Sequence, residues 1–291
     1  MSRAPLLAFG ALLALLACSS ESTTASTSSA ASATTSASSV TSAASTGTGG
    51  SGGAGGAGTS TGAGGALPER AVLFIGNSYT YVNDLPGMVT GLASSSGVPP
   101  LLSPTSITPG GTAFYDHWAS VDVQAALATG AYDVIVLQGQ SVEPVADPAT
   151  FETYGELLAN AAAASGAEVV LYQTWARKEG SDVYAQTWSG GTPAAMQDGL
   201  TAAYGTLAAA TGAAVAPVGE AFRLSRAAHP EIELYSADGS HPSVEGTYLA
   251  ACVFYHVLTG APVPGAASLP AGVDGTEAAA LLEAAEAALA L

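Results

Sequence analysis

Ser78 on one side, and Asp238 with His241 on the other, are the residues whose types and spacing could do chemistry together. Ser78 lies in VLFIGNSYTY, where four apolar residues run straight into Gly76, Asn77 and Ser78. A Gly-Asn turn at that point would lift the serine off a strand end and point its hydroxyl at a site beyond the sheet. A serine hydroxyl is a weak nucleophile until a neighbouring base takes its proton. Asp238 and His241 supply such a base in DGSHPS. In a tight loop their three-residue spacing lets the carboxylate turn back onto the imidazole Nδ1 proton and leaves Nε2 free as a general base. Alone, the segment also reads as a capped helix start, with Asp238 and Ser240 as capping groups and His241 merely packed. Paired with a strand-end serine, it reads as the base of an acyl-transfer site.

Other residues compete for attention. Ser141 in GQSVE has half of a nucleophile elbow but lacks the second glycine, so it reads as a helix or loop cap. GTSTG at 58–62 matches the full elbow pattern, yet no strand precedes it and no helix follows. His117 in YDHW reads as a hydrogen-bonded, half-buried histidine near the pocket. Trp175, Arg177 and Lys178 are either substrate contacts or part of a solvated loop, and His229 and His256 read as structural. No His, Cys and Asp grouping has metal-ligand spacing, and GNSYT lacks the lysine of a phosphate-binding loop, so neither a metal nor an organic cofactor is expected.

These residues need elements to position them. From residue 71 onward short apolar runs alternate with longer helical stretches, the pattern of a parallel sheet covered by helices. Strands are expected at 71–75, around 101–103, at 133–137, 168–172 and 214–218. YDVIVLQ and AEVVLYQ are continuous runs suited to strands buried on both faces. Helices are expected at 85–94, 121–127, 148–164, 194–211, 244–258 and 276–291. The fold class that follows is α/β, a three-layer α/β/α sandwich on a five-stranded parallel sheet with right-handed crossovers. Functional groups should gather at the C-terminal edge of such a sheet. Ser78, Gly110 with Gly111, Gln138 to Ser141, and Gln173 to Lys178 all follow expected strands.

The first 66 residues read differently. Residues 1–17 carry one cation, Arg3, then an apolar run too short to span a bilayer comfortably, as in a secretory signal. LLAC, ending at Cys18, resembles a bacterial lipobox, which implies cleavage before Cys18 and a lipid anchor on its thiol. Residues 18–66 are almost wholly Ser, Thr, Ala and Gly, too poor in apolar bulk to offset their ordering entropy. As a flexible tether they would reach on the order of 35–40 Å. The folded domain is therefore expected at 67–291, outside the cytoplasm and tied to the cell envelope through Cys18. Cys252, in GTYLAACVFYHVL, reads as a small buried helix residue. The net charge of −17 argues against nucleic acid and against docking on anionic headgroups, and fits a neutral polar substrate more easily.

Gly76-Asn77-Ser78 after the first strand, together with Asp238-x-x-His241 before a late helix, resembles the SGNH/GDSL hydrolase superfamily of serine esterases and lipases. The resemblance runs over residues 71–258 in order. It implies a flavodoxin-like fold of the SGNH type, with Ser78 as nucleophile, His241 as base and Asp238 as its partner. It also implies an oxyanion hole made by the Ser78 N–H, a glycine N–H after the second strand (Gly110 or Gly111), and a side-chain amide after the third. The family places Asn in a Gly-x-Asn-Asp block there, whereas this chain reads LQGQS, so register puts Gln140 in that role with Gln138 as the fallback. Asn77 stands where the family usually has Asp. The implied activity is hydrolysis of oxygen esters, removing acetyl or similar groups from a carbohydrate or other small polar ester. The alternatives are a lipase, phospholipase or thioesterase on the same triad, and a binding module that kept the fold without turnover.

Overall fold

The computed structural model describes residues 67–265 and 269–291. The expected signal at 1–17, Cys18, the expected tether at 18–66 and the GTSTG segment lie outside the described residues.

Five strands, β1 (Glu69–Ile75), β2 (Leu101–Ile107), β3 (Val134–Leu137), β4 (Glu168–Tyr172) and β5 (Ala214–Ala216), form one parallel sheet in the order β2-β1-β3-β4-β5. The helices among the described residues are α1 (Ser78–Tyr81), α2 (Leu85–Ser96), α3 (Phe114–Ala119), α4 (Val121–Ala128), α5 (Glu143–Ala146), α6 (Pro148–Ala164), α7 (Pro193–Thr211), α8 (Val218–Ala228), α9 (Val244–Thr259) and α10 (Gly275–Leu289).

The period of two along each strand sorts its side chains into two cores. Val72, Phe74, Val134, Val136, Val170 and Tyr172 pack with buried residues of α2, α8, α9 and α10. Leu73, Ile75, Ile135, Leu137 and Leu171 pack with those of α3, α4, α6 and α7 on the opposite face. All four residues of β3 are buried, which is why its sequence shows no polar alternation. Helix α9 is covered almost all round: Leu249, Val253, Phe254 and Leu258 are at most 1% exposed. At about 1.5–3 kcal/mol per buried apolar side chain, those four residues hold α9 firmly in place. Its N-terminus lies just beyond His241.

Register brings the strand ends into line. Ile75 pairs with Ile107 and Leu137, and Leu137 pairs with Leu171, so the segments after β1 to β4 leave the sheet along one edge. The chain turns one way from β1 to β2 and the other way to β3, a reversal that opens a crevice at that edge.

Most expected elements are present with ends shifted by a few residues, but three differences have physical causes. Strand β2 runs on to Ile107, because it pairs with β1 along the whole of that strand. Strand β5 stops at Ala216, since Pro217 cannot donate to the ladder, and Val218 opens α8, a helix the periodicity did not predict. Helix α8 buries its whole first turn, residues 218–222 with Glu220 among them, and Ser225 one turn on, so its burial follows no apolar periodicity. Helix α3 was also not predicted; its six residues are too short for a periodicity and rely on Asp116, which accepts from the Ala113 N–H at 3.0 Å.

Candidate functional site

Ser78 reaches the crevice through a one-turn helix. Asn77 caps α1: its side chain accepts from the Tyr79 N–H at 3.1 Å, and its carbonyl accepts from the N–H groups of Thr80 and Tyr81. Ser78 therefore opens the helix, and its own N–H has no partner among the described residues. Asn77 is 2% exposed, and its remaining groups tie three loops together. Its Nδ2 donates to Thr112 O at 3.0 Å in the loop after β2. Its N–H donates to Gln138 Oε1 at 3.1 Å, and its Oδ1 accepts from Gln138 Nε2 at 2.8 Å.

The Asp238–His241 loop meets Ser78 from the other side. Asp238 Oδ1 accepts from the N–H groups of Ser240 and His241, both at 2.9 Å, folding the carboxylate back on the loop. Gly239 sits at φ +65°, a conformation that favours glycine. Asp238 Oδ2 then meets His241 Nδ1 at 2.5 Å, and His241 Nε2 meets Ser78 Oγ at 2.9 Å. Partial burial opposes ionisation of Asp238, but the bonds from the His241 ring and the two amides outweigh it and hold the carboxyl below its ordinary range. At neutral pH Asp238 is thus an anion fixed on Nδ1, which leaves Nε2 directed at the serine hydroxyl. Such a chain of groups can draw a proton from a serine as it attacks a carbonyl.

Several braces set this geometry. Ser243 caps α9 by accepting from the Gly246 N–H at 3.0 Å, fixing the helix start two residues past His241. Asn83 shares its Nδ2 hydrogens among Pro242 O, Ser243 O and Thr247 Oγ1 at 2.9–3.1 Å, linking the Ser78 segment to that helix start. Trp175 is 1% exposed and stacks between Tyr79 and Phe222 at centroid distances of 4.3 and 4.2 Å; its Nε1 donates to Ser240 O. It is therefore neither a substrate contact nor part of a solvated loop.

The crevice above Ser78 has a volume of about 350 Å³, with Ser78, Gly110, Gly111, Gln140, Arg177 and His241 among its lining residues. Neither glycine N–H has a partner among the described residues. Gln140 accepts through Oε1 from Val142 N at 2.8 Å and Glu143 N at 3.2 Å, which orients its amide and leaves Nε2 without a partner among the described residues. Gln138, the expected fallback, is fully buried and spends Nε2 on Asn77 and on Gly139 O. It has no donor left for a substrate, so the fallback does not hold: its length lets it brace the serine loop from beneath. Glu143 is buried as well, and its Oε2 accepts from Gln140 N at 3.2 Å and Phe114 N at 3.4 Å, joining the loops after β3 and β2. Burial pushes its carboxyl above the ordinary range.

The remaining candidates fall elsewhere or change role. Ser141 caps no helix; it is 5% exposed and accepts from Arg177 Nη2 at 2.8 Å at the crevice wall. His117 is fully buried, with Nε2 against Gly76 O at 2.9 Å, so it supports the serine loop from below. Lys178 pairs with Glu233 on the surface, His229 faces Glu231, and His256 Nδ1 meets Ala261 O at the end of α9. Cys252 is buried. Hollows of about 420 and 520 Å³ elsewhere on the domain include neither Ser78 nor His241. Among the described residues no three His, Cys, Asp or Glu side chains converge as a metal site. Sequence reading missed the supporting roles of Asn83, Gln138 and Glu143. Only Gln138 carried a signal, as a polar residue directly after an otherwise apolar strand.

No protein-family model and no curated protein sequence matches the chain. Solved structures do. A protein from Slackia heliotrinireducens, described as an SGNH hydrolase, is 31% identical over 65% of this chain and 99% of its own, with a TM-score of 0.57. A DUF4886 family protein from Bacteroides uniformis shares the fold at 19% identity, over 76% of this chain and 95% of its own, with a TM-score of 0.64. The acetyl xylan esterase AlAXEase does so at 18% identity, over 65% and 99%, with a TM-score of 0.53.

Proposed function

The chain belongs to the SGNH hydrolase family and is on that footing a hydrolase of ester bonds, and from this premise we infer that it is a serine esterase releasing acetyl or similarly small acyl groups from a polar acceptor such as a carbohydrate. The observation that carries the reading is the continuous contact from Asp238 Oδ2 through His241 to Ser78 Oγ, at 2.5 and 2.9 Å. Ser78 Oγ attacks the ester carbonyl while His241 Nε2 takes its proton, and Asp238 stabilises the imidazolium that forms. The developing oxyanion is met by the Ser78 N–H, an N–H of Gly110 or Gly111, and Gln140 Nε2, groups without other partners among the described residues. The proton passes to the leaving alcohol as the C–O bond breaks. Water, deprotonated by the same imidazole, then hydrolyses the acyl-serine and regenerates the hydroxyl.

The crevice supports a small acyl group. Among its lining residues the rings of Tyr79 and Tyr81 are the only large apolar surfaces, and no Leu, Ile, Val, Met, Ala or Phe side chain extends them into a wall for a long acyl chain. The acetyl xylan esterase with the same fold is consistent with a carbohydrate acceptor. Hydrolysis of p-nitrophenyl acetate against butyrate, octanoate and palmitate esters by the full chain tests activity and acyl preference together. Rates falling steeply beyond butyrate fit this reading; a preference for octanoate or palmitate replaces it with a lipase.

For location, the proposed arrangement is an anchor on Cys18 and a tether at 18–66 holding the esterase away from the envelope. Incorporation of labelled palmitate that disappears in Cys18→Ser fits it. Absence of label in the wild type removes the anchor.

A further inference from the structure

Arg177 has the least ordinary surroundings of the cations among the described residues. The whole chain holds 6 Lys and Arg against 23 Asp and Glu, so acidic partners are plentiful. Arg70 pairs with Glu168, Lys178 with Glu233 and Arg223 with Glu220, all at the surface or close to it. Arg226 lies over the Tyr235 ring at 5.4 Å. Arg177 lines the crevice with Ser78 and His241, yet among the described residues it has no carboxylate within ion-pair distance. Asp238, the acid whose field it feels, is engaged by the His241 ring and by two amides.

Hydroxyl groups hold it instead. Nη1 donates to Tyr79 Oη and Ser240 Oγ, and Nη2 to Ser141 Oγ at 2.8 Å, while the guanidinium lies over the Tyr79 ring at 5.6 Å. Neutral partners fix its position without neutralising it. Three of the five N–H donors of a guanidinium are thereby used, and the Nε–H and one Nη2–H have no partner among the described residues. Burial disfavours its charged form more than the field of Asp238 favours it, so the fold keeps a partly desolvated cation with no ion-pair partner among the described residues at the wall of the crevice. A guanidinium with two free donors matches the paired oxygens of a carboxylate.

We propose that Arg177 is an anion subsite of the crevice, so that the preferred ester carries a carboxylate near the scissile bond, either on the acyl group or on the sugar bearing it. The proposal rests on the ester-hydrolase reading and narrows its substrate class to acidic esters. It also revises an expectation from composition. A net charge of −17 favours neutral ligands at long range, whereas Arg177 reverses the preference locally.

Two matched ester pairs test this on the full chain. Mono-4-nitrophenyl glutarate against 4-nitrophenyl pentanoate places the charge on the acyl side. Acetylated methyl glucuronoside against acetylated methyl glucoside places it on the alcohol side. In at least one pair the wild type should favour the anion in kcat/KM by about tenfold or more, the worth of one charge-assisted hydrogen bond, and chiefly through KM. The anionic-to-neutral ratio within each protein cancels any loss common to both esters. It should fall to about one in Arg177→Gln and keep an intermediate value in Arg177→Lys. Ratios at or below one in both wild-type pairs, or a ratio unchanged in Arg177→Gln, overturn the subsite while leaving the esterase intact. Calorimetric titration with glutarate and methyl glucuronoside separates the two readings. Binding lost in Arg177→Gln, without hydrolysis of any ester, keeps the subsite and sinks the esterase; no binding and no hydrolysis sinks both.

Discussion

Replacing Asn77 by the aspartate usual in the family should damage this domain, because the loops around it are built for an amide. Asn77 is almost fully buried and donates from Nδ2 to Thr112 O at 3.0 Å, while Oδ1 accepts from Tyr79 N and Gln138 Nε2. The amide orientation is fixed by these partners, since turning it would set Nδ2 against two donors. Asn77→Asp keeps the accepted bonds but removes the donor, leaving a carboxylate oxygen facing the Thr112 carbonyl. Losing the bond and burying two unpartnered acceptors costs about 3 kcal/mol at pH 7, after allowing for stronger bonds from Tyr79 and Gln138 to a charged acceptor. For a domain of this size that is on the order of 6–12 °C in Tm. The sign of the pH dependence follows. Burial beside a carbonyl raises the pKa of the introduced carboxyl in the folded state above its unfolded value of about 3.9. The variant's deficit is complete above the raised pKa and shrinks as pH falls through it, because the protonated carboxyl again donates to Thr112 O. Urea unfolding of both proteins between pH 8 and pH 4.5 measures this. A difference under about 0.5 kcal/mol at pH 7, the usual range for inconsequential substitutions, would refute the reasoning, as would a gap that widens toward acid.

Four further outcomes follow from three neighbouring residues. Gln140→Ala should lower kcat by roughly a hundredfold or more with little change in KM, and comparable activity would move the third oxyanion donor elsewhere. The Glu143 carboxyl, raised by burial, makes the wild type lose stability as pH climbs from its unfolded value of about 4.5 through its folded one; Glu143→Gln lacks that loss and should gain on the wild type across the window. Glu143→Ala should instead cost about 1–3 kcal/mol at neutral pH, since the Gln140 and Phe114 N–H groups lose their acceptor. Gly246→Ala would set a Cβ 2.2 Å from Leu234 O and 3.0 Å from Phe222 Cζ, and should lower stability by about 2–3 kcal/mol as α9 shifts away from the His241 loop; thermal unfolding reads both of these variants.

The legible parts of the fold were those with a local physical signature. VIVL and EVVLY announce strands buried on both faces, and α6 is recognisable from Pro148 to Ala164 because Asp147 caps it and its alanines favour helix. The proximity of Ser78 and His241 was legible through the resemblance that pairs a strand-end Gly-Asn-Ser with Asp-x-x-His before a late helix, although the Asp238–His241 loop joins α8 to α9 and follows no strand. Helix α8 was not, because Pro217 joins it directly to β5 and its buried residues include Gly219, Glu220 and Ser225, which carry no apolar periodicity. The roles of Gln138, Trp175 and Arg177 were illegible for a different reason. Each depends on partners 36 to 98 residues away in sequence, and no local pattern encodes which loop a glutamine or guanidinium will meet. Gln138 and Gln140 are two residues apart and chemically identical, yet one lies under the serine loop and the other lines the crevice.

The central claim is that Ser78 is a nucleophile activated by His241. Reaction of the full chain with a fluorophosphonate probe, followed by mass spectrometry of the labelled peptide, tests it directly. The expected result is one adduct on the peptide containing Ser78, absent in Ser78→Ala and strongly slowed in His241→Ala. A wild-type chain that never labels, or a Ser78→Ala variant that labels equally well, would contradict it.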